Sequence, residues 1–388
     1  MNNRTKQIAI FLALFSLILG MLHFYLYQRS VYYLQPDLFG QNFLALTFGS
    51  LMIVTLLAMP LSRLLPRPLA SIISWIVYPW MGLGLFLITG FFVADLLWIC
   101  LNIISLNSSL SLSAQLQKDF GLAVFIFAGS CSAYALWNGL RLVKTNFVKV
   151  DLKKLPSELH GLRIAQITDI HIGPILDGKW LQRVIDRVND LDADIIAITG
   201  DLVDGSVLEL SAHVAPLANL KAKHGTFFVT GNHEYYSGVD EWCSHLQSLN
   251  IKVLRNDHVS LNINDNQIHI AGVDDWSSRH FDEGHDLAKA LAGRDQTKAV
   301  ILLAHQPISM HDAAKHEVDL QLSGHTHGGQ IWPFNYFVYL QQPISRGLFQ
   351  YPGSDLQVFV SCGTGFWGPP MRLGTFAEIT CIDLRCAS

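Results

Sequence analysis

The sequence predicts a membrane-anchored α/β protein, in which four transmembrane helices precede a two-sheet α-β-β-α sandwich. Half of its 388 residues are hydrophobic, more than is usual for a soluble protein. Four long apolar runs lie in the first 150 residues, and short apolar strands alternate with amphipathic helices from Leu162 onward. We therefore predict a transmembrane region over 1–148 and an α/β domain over 149–388.

Charge separates the same two parts of the chain. Residues 1–150 carry nine Lys or Arg and three Asp or Glu, whereas residues 151–388 carry 18 and 28. An acidic domain lacks the basic surface that binds phosphate backbones, so nucleic acid is not expected as a partner. The six cysteines have neither paired metal spacing nor the pattern of a disulfide framework, which is typical of a reducing compartment.

The apolar runs cover residues 8–27, 43–65, 72–104 and 121–143. A membrane-spanning helix needs about 20 apolar residues, and each run reaches that length. The first run could instead be a signal peptide, but no small-residue cleavage site follows Tyr25-Leu26-Tyr27. Four transmembrane helices are therefore predicted, with the bilayer as a partner.

Basic residues predict the orientation. They are frequent at the N-terminus, in the second loop and after the fourth run: Arg4, Lys6, Arg63, Arg67, Arg141, Lys144, Lys149, Lys153 and Lys154. The two other loops carry only Arg29 and Lys118. The positive-inside rule then predicts a multi-pass protein of the inner (plasma) membrane, with the α/β domain in the cytoplasm.

Asp95 lies inside the third apolar run. An acidic residue in a membrane helix is costly and is therefore a functional candidate. No basic partner is obvious in the sequence, and Asp95 is explained either by a helix-packing contact or by a role in transport.

The α/β pattern begins with a strand over 162–168. In the helix predicted over 180–191, six apolar residues share one face, with charged residues opposite. Ile195 to Ile198 form a continuous apolar run, as in a strand covered on both faces. Further strands are predicted over 194–199, 226–230, 299–304, 319–323, 356–361 and 376–383, a hairpin over 259–263 and 267–271, and helices over about 208–222 and 239–249.

Five of these strands end in residues of the types that bind metal ions. The set consists of Asp169, His171, Asp201, Asn232, His233, His305, His325 and His327. They form five groups: Asp169 with His171, Asp201, Asn232 with His233, His305, and His325 with His327. Each group alone could be ordinary turn chemistry. Five such groups, each directly after an apolar run, indicate one metal centre, because ligands gather at the carboxyl ends of strands. Nitrogen and oxygen ligands without cysteine favour Mn²⁺, Fe or Zn²⁺ over Ca²⁺.

This set resembles the calcineurin-like metallophosphoesterase superfamily over residues 160 to about 383. The run from Gly324 to Gln330, with the four-helix region, is similar to its membrane-anchored branch. That branch includes bacterial phosphodiesterases and one class of UDP-2,3-diacylglucosamine pyrophosphatase. The resemblance implies that Asp169, His171, Asp201 and His327 hold one divalent ion, and that Asp201, Asn232, His305 and His325 hold a second. Ala377 departs from the family pattern, which often has Pro before the last strand's Glu-Ile.

Two further residues are predicted to be catalytic. His233 follows the ligand Asn232, so its side chain can face the leaving group as a general acid or as a donor to the transition state. Asp204 lies three residues after Asp201 and is placed to orient His233.

Arg372, in a Gly- and Pro-rich loop, could reach a substrate phosphate, although a surface turn is an equal alternative. Trp276 and Trp332 could contact a base or an acyl chain, or pack in the interior.

The predicted function is metal-dependent hydrolysis of a phosphodiester or pyrophosphate bond. Two ions about 3.5–4 Å apart can activate water and neutralise phosphoryl charge. The resemblance implies a phosphorylated, lipid-linked substrate similar to UDP-2,3-diacylglucosamine. The alternatives are a phosphodiesterase of soluble substrates, a catalytically silent metal-binding membrane scaffold, and a transporter with an appended domain.

Overall fold

The computed structural model describes residues 3–106, 111–281 and 284–387. The chain forms two compact units. The first comprises residues 1–137 with 369–371, and the second comprises 138–368 with 372–388. The side chains of Arg4, Lys6 and Arg63, which contribute to the predicted orientation, lie outside the described residues.

Long helices make up the first unit. They are α1 (Asn3–Leu34), α2 (Leu38–Leu64), α3 (Arg67–Leu106) and α4 (Ala114–Leu140), the last three residues of which belong to the second unit. All four are long and apolar enough to cross a membrane. The helices α1, α2 and α3 extend beyond the predicted apolar runs. At 40 residues, α3 is about 60 Å long and exceeds the roughly 30 Å hydrocarbon core.

Asp95 has a basic partner that the sequence did not reveal. The Nε of Arg29 in α1 lies 2.9 Å from Asp95 Oδ2, and the Tyr25 and Tyr33 hydroxyls each donate to the carboxylate at 3.0 Å. Because both carboxylate oxygens are satisfied, these contacts account for Asp95 as a packing contact between α1 and α3.

The described residues of the second unit contain twelve strands in two sheets. The strands are β1 (Lys144–Leu152), β2 (Arg163–Ile167), β3 (Ile195–Thr199), β4 (Thr226–Val229), β5 (Lys252–Val253), β6 (Asp257–Ile263), β7 (Asn266–Gly272), β8 (Val300–Leu303), β9 (Leu320–Ser323), β10 (Gly347–Gln350), β11 (Gln357–Val360) and β12 (Glu378–Cys386). The first sheet has the order β1-β12-β2-β3-β4-β5, and the second has the order β10-β11-β9-β8-β7-β6. Both sheets are mixed, because β12–β2, β6–β7 and β10–β11 are antiparallel pairs among parallel ones.

Shorter helices accompany the two sheets. They are α5 (Gly178–Asn189), α6 (Val207–Val214), α7 (Asn232–Ser237), α8 (Val239–Ser248), α9 (Leu287–Ala290) and α10 (Met310–Lys315). All of them except α7 contribute to the apolar cores on the outer sheet faces. Alternate residues of β3 show how the layers form. Ile195 and Ala197 belong to the core between the sheets, whereas Ile196 and Ile198 pack with α5, α6 and α8. This arrangement is the predicted α-β-β-α sandwich.

Several elements differ from the sequence-based expectation: β1, β5, β10, α7, α9 and α10 were not predicted, and one predicted helix is divided. Strand β1 lies across the predicted domain boundary after residue 148; its alternating charged and apolar residues fit an edge strand, and it pairs with β12 in parallel. The helix predicted over about 208–222 is instead α6 followed by a 3₁₀ helix, Ala215–Asn219. Pro216 explains the change, because proline lacks the N–H that an α-helix requires.

The topology places one edge of each sheet at a common site. The parallel strands β2, β3 and β4 end just before Asp169, Asp201 and Asn232. In the second sheet, β8 and β9 end just before His305 and His325. Residues far apart in sequence are therefore brought together at the carboxyl ends of five strands.

Candidate metal centre

The predicted ligands lie in turns whose backbone is unusual. Asp169, His171, Asp201, His325 and His327 all have φ between 50° and 69°. Residues other than glycine rarely adopt this left-handed conformation, and such residues concentrate at functional sites. The turns also allow close approach: a Cβ on Gly231 would lie 2.2 Å from Asp201 Oδ1. These features together aim the side chains at one point.

The first group of ligand-type residues consists of Asp169, His171 and His327. One potential ligand atom from each lies within 4.8 Å of the others. The Nε2 atoms of His171 and His327 are 3.2 Å apart, and His327 Nε2 is 3.4 Å from Asp169 Oδ1. Asp201 Oδ2 lies 3.9 Å from His171 Nε2, which brings the fourth predicted ligand to the same place.

The second group consists of Asp201, His305 and His325, again with ligand atoms within 4.8 Å of one another. His305 Nε2 lies 3.1 Å from Asp201 Oδ2 and 3.2 Å from His325 Nδ1. Asp201 Oδ2 approaches both groups. The Asp201 carboxylate is therefore the candidate bridge between two ions.

Asn232 gives an independent indication that the residues fit a metal ion. Its Oδ1 is buried and has no hydrogen-bond partner among the described residues. An unsatisfied buried oxygen costs free energy, and such an atom needs a physical explanation. A cation bound by Asn232 with Asp201, His305 and His325 would satisfy it, and this mixed oxygen and nitrogen set suits a divalent transition metal.

Hydrogen bonds select the ring nitrogens that face the site. His305 Nδ1 donates to the Thr199 carbonyl at 2.8 Å, and His171 Nδ1 donates to Asp204 Oδ1 at 2.9 Å. In the neutral form of both rings, Nε2 therefore carries the lone pair, which is directed toward the site. This arrangement, in which the outer N–H is held by an oxygen, is the usual support for metal-binding histidines.

Asp204 joins His171 to His233. Its Oδ1 lies 2.7 Å from His233 Nδ1, in addition to the contact with His171. The His233 backbone N–H donates to Asp201 Oδ1 at 2.9 Å. A third group of potential ligand atoms, from His171, Asp201 and His233, also lies within 4.8 Å. The ring of His233 is thus fixed at the edge of the two ligand groups.

The protonation states of the histidines differ across the site. Burial lowers the pKa of His325 to about 3 and lowers the pKa of His327 well below its usual range. Neutral imidazole is the form that binds metal ions. For His233 and His305, burial also favours the neutral ring, but nearby carboxylates outweigh it. They raise the pKa of His233 to about 9 and raise the pKa of His305.

Glu234, which was not among the predicted site residues, holds the turn that contains Asp201. Its buried carboxylate accepts hydrogen bonds from the backbone N–H groups of Asp201, Leu202 and Gly231 at 3.0, 2.8 and 2.6 Å. Burial, with the negative charge of Asp201, raises the pKa of Glu234 to about 7. The signal was present in Gly231-Asn232-His233-Glu234, because a glutamate at the third position of a helix often caps its start.

Arg372 has a different environment from the one the sequence suggested. Its side chain is fully buried, and the Nη2 atom donates to the carbonyls of Cys362, Gly363 and Gly365 at 2.8, 3.3 and 2.6 Å. The guanidinium therefore stabilises the loop after β11 from inside. A role in binding a substrate phosphate stays a prediction, which these contacts do not support.

The geometry agrees with comparisons to known proteins. Residues 162–329 match the model of the calcineurin-like phosphoesterase family. A zebrafish relative (Danio rerio) named transmembrane protein with metallophosphoesterase domain is 35% identical over 326 residues, which cover 79% of this chain and 74% of the relative. The chain belongs to the calcineurin-like phosphoesterase family. It is therefore a metal-dependent phosphoesterase, as the resemblance in the sequence predicts.

Two further relatives show how far the similarity extends. A bovine (Bos taurus) protein with the same name is 41% identical over 291 residues, covering 72% of this chain and 65% of the relative, just under two thirds of its length. A UDP-2,3-diacylglucosamine pyrophosphatase from Chlamydia trachomatis is 28% identical over 286 residues, covering 59% of this chain and 85% of that protein. Two of the three relatives are named as transmembrane proteins, in agreement with the four candidate spans.

Replacing Asp201 tests the metal centre. We expect Asp201→Asn to retain fewer than two ions per chain, because a neutral amide is a poor bridge between two cations. The measurement is metal content by plasma mass spectrometry of the full-length protein after gel filtration. Asp192→Asn is the matched control: Asp192 is exposed with φ 47°, a conformation that asparagine tolerates. Two ions in both variants would contradict the bridging role.

Proposed function

We propose that this protein hydrolyses a phosphodiester or pyrophosphate bond with two divalent metal ions, Mn²⁺, Fe or Zn²⁺. The observation that carries the proposal is the pair of ligand groups that share Asp201, with His233 at their edge. When bound, the two ions would activate water and neutralise charge on the phosphoryl group. A scaffold without turnover would need only the ligands, whereas His233 and its contact with Asp204 supply a group for proton transfer.

The protein's own residues supply orientation and the proton. Asp204 Oδ1 accepts from the Nδ1 atoms of both His171 and His233, so it fixes a ligand and the catalytic ring in one contact. With Nδ1 held, Nε2 is the ring nitrogen of His233 that can donate a proton to the leaving oxygen. Burial around Asp201 and His305 excludes water and so strengthens the electrostatic interactions within the site.

Replacing His233 tests the proposed proton transfer. We expect His233→Asn to retain both ions but to lose about 10²–10⁴-fold in kcat, the usual contribution of general acid–base catalysis. The loss should shrink as the leaving group becomes more acidic, because a better leaving group needs less protonation. The assay uses a series of aryl phosphodiesters with the full-length protein. An equal loss for all of them would indicate charge stabilisation instead, and loss of an ion would make His233 a ligand.

We also propose that the substrate is lipid-linked. The Chlamydia trachomatis relative is named for a pyrophosphatase acting on UDP-2,3-diacylglucosamine, whose two acyl chains are apolar. In this chain, an exposed aromatic segment over residues 332–340 follows the metal-ligand turn. Its exposed large apolar side chains are Trp332, Phe334, Tyr336, Phe337, Tyr339 and Leu340. Exposed apolar clusters of this kind mark surfaces for apolar ligands or membranes.

The aromatic segment is attached directly to the metal-ligand turn. Gln330 N–H donates to the His327 carbonyl at 3.0 Å, and the Gln330 side chain makes two hydrogen bonds with the Trp367 backbone at 2.9 and 3.0 Å. Trp332 N–H donates to the Leu373 carbonyl at 3.0 Å. A substrate whose phosphate lies at the metal ions would thus have apolar surface next to its binding site.

Removing two aromatic side chains tests the lipid-linked substrate. We expect Tyr336→Ser/Phe337→Ser to lower kcat/KM for a long-chain diacyl substrate by about tenfold or more, since burying each ring is worth about 1.5–3 kcal/mol. Hydrolysis of bis-p-nitrophenyl phosphate should be unchanged. Leu208→Ser is the control, because Leu208 is 94% exposed outside the segment. Equal effects on both substrates, or on neither, would leave a phosphodiesterase of soluble substrates.

The proposed location is the inner (plasma) membrane with the second unit in the cytoplasm. Arg67 and the cluster from Arg141 to Lys154 flank candidate spans on one predicted side. We expect a green fluorescent protein fused after Ser388 to fluoresce and an alkaline phosphatase fused there to be inactive. An active phosphatase fusion would contradict the predicted orientation, whereas the proposed reaction would be unaffected.

A further inference from the structure

A cavity lined by positively charged side chains lies away from the metal centre. This surface cavity is lined by Leu140, Arg141, Leu142, Val143, Trp180, Arg183, Val184 and Arg187. All of these residues belong to the second unit. The cavity combines three guanidinium groups with an indole ring and aliphatic side chains, and neither the metal centre nor the aromatic segment contributes to it.

The cavity is held by contacts at both ends of its first wall. The Asn138 side chain donates to the carbonyls of Arg372 and Thr375 at 2.8 and 2.9 Å, and Lys144 N–H donates to the Ala377 carbonyl at 3.0 Å. Between them, Val143 is buried in the same apolar core as Val184 of α5. The segment over 140–143 is therefore fixed against α5, which supplies the other wall.

The cavity offers two guanidinium groups that can bind an anion, those of Arg183 and Arg187. Among the described residues, neither Arg183 nor Arg187 forms an ion pair with a carboxylate within 4 Å. Arg183 is exposed and Arg187 is half-buried. Guanidinium groups bind phosphate oxygens in a bidentate manner, so Arg183 and Arg187 in one cavity favour an anionic phosphate group.

The place of the cavity in the chain indicates the source of that phosphate. Leu140, which lines the cavity, is the last residue of α4, a candidate membrane span. Leu140 and Leu142 are 44% and 62% exposed, which is unfavourable for leucine in water. Tryptophan is typical of the membrane interface, where one part of its ring is apolar and the N–H is wet. The cavity thus combines arginines that can bind phosphate, exposed leucines and an indole, next to the end of a candidate span. This combination fits one ligand that has both a phosphate group and apolar chains.

We propose that this cavity binds the head group of an anionic phospholipid, with its phosphate on Arg183 and Arg187 and its acyl chains along Leu140 and Leu142. The site is separate from the catalytic centre and does not depend on the proposed substrate. Basic pockets beside membrane spans bind anionic head groups in this way, and each basic residue near the surface contributes to binding.

The test is native mass spectrometry of the full-length protein in a mild detergent, titrated with phosphatidylglycerol or phosphatidylcholine. We expect phosphatidylglycerol to bind at least about tenfold more tightly than phosphatidylcholine, and Arg183→Gln/Arg187→Gln to abolish that preference. Lys252→Gln/Lys289→Gln removes the same charge from exposed positions elsewhere and should keep the preference. Hydrolysis of bis-p-nitrophenyl phosphate and bound metal report that each variant is folded.

A charge-conserving variant and competition by inorganic phosphate also test the proposal. Arg183→Lys/Arg187→Lys retains the charge and should retain most of the preference, even if the glutamine variant is unstable. Inorganic phosphate at millimolar concentration should compete weakly, because it lacks acyl chains. The proposal is wrong if both lipids bind alike, if the glutamine variant folds and keeps the preference, if the lysine variant folds and loses it, or if inorganic phosphate displaces the lipid completely.

Discussion

The structure of the candidate site depends on the placement of one carboxylate, Asp201. It lies 3.1 Å from a histidine of one ligand group and 3.9 Å from a histidine of the other. Its backbone is held in the left-handed region, and its N–H is bound by the buried Glu234. A buried carboxylate surrounded by ring nitrogens is stable only if charge is balanced, and two cations would balance it. The neighbouring turns are arranged around this requirement.

The metal centre combines rigid strands with constrained turns. Each candidate ligand lies in a turn two to four residues after a strand of the sandwich, and the hydrogen bonds of the sheet fix the start of that turn. The left-handed residues then redirect the side chains toward a common point, at a cost of about 1–3 kcal/mol each. Hydrogen bonds to Thr199 and Asp204 fix the imidazoles of His305 and His171. Such support is what distinguishes a prepared site from a chance cluster of polar residues.

Three surfaces of the second unit differ in chemistry. The metal centre is buried and rich in histidine, the aromatic segment is exposed and apolar, and the cavity beside α5 is basic. A soluble enzyme would have little reason to keep six large apolar side chains exposed in one nine-residue segment. The aromatic segment and the cavity are most simply explained if apolar and anionic parts of lipids contact this unit at separate places.

The sequence by itself determined the class of the protein and the positions of its candidate ligands. Apolar runs of sufficient length predicted α1 to α4, and local patterns predicted β2, β3, β4, β8 and β9, because burial and strand propensity act over a few residues. Since each candidate ligand lies within three residues of its strand's end, the strand pattern also located Asp169, Asp201, Asn232, His305 and His325. Only the tertiary structure decided the contacts of Asp95, Glu234 and Arg372, the placement of Arg183 and Arg187 in one cavity, and the pairing of β1 with β12. These depend on contacts between segments far apart in the chain, or on which surface the fold leaves open, and neither is encoded in local periodicity.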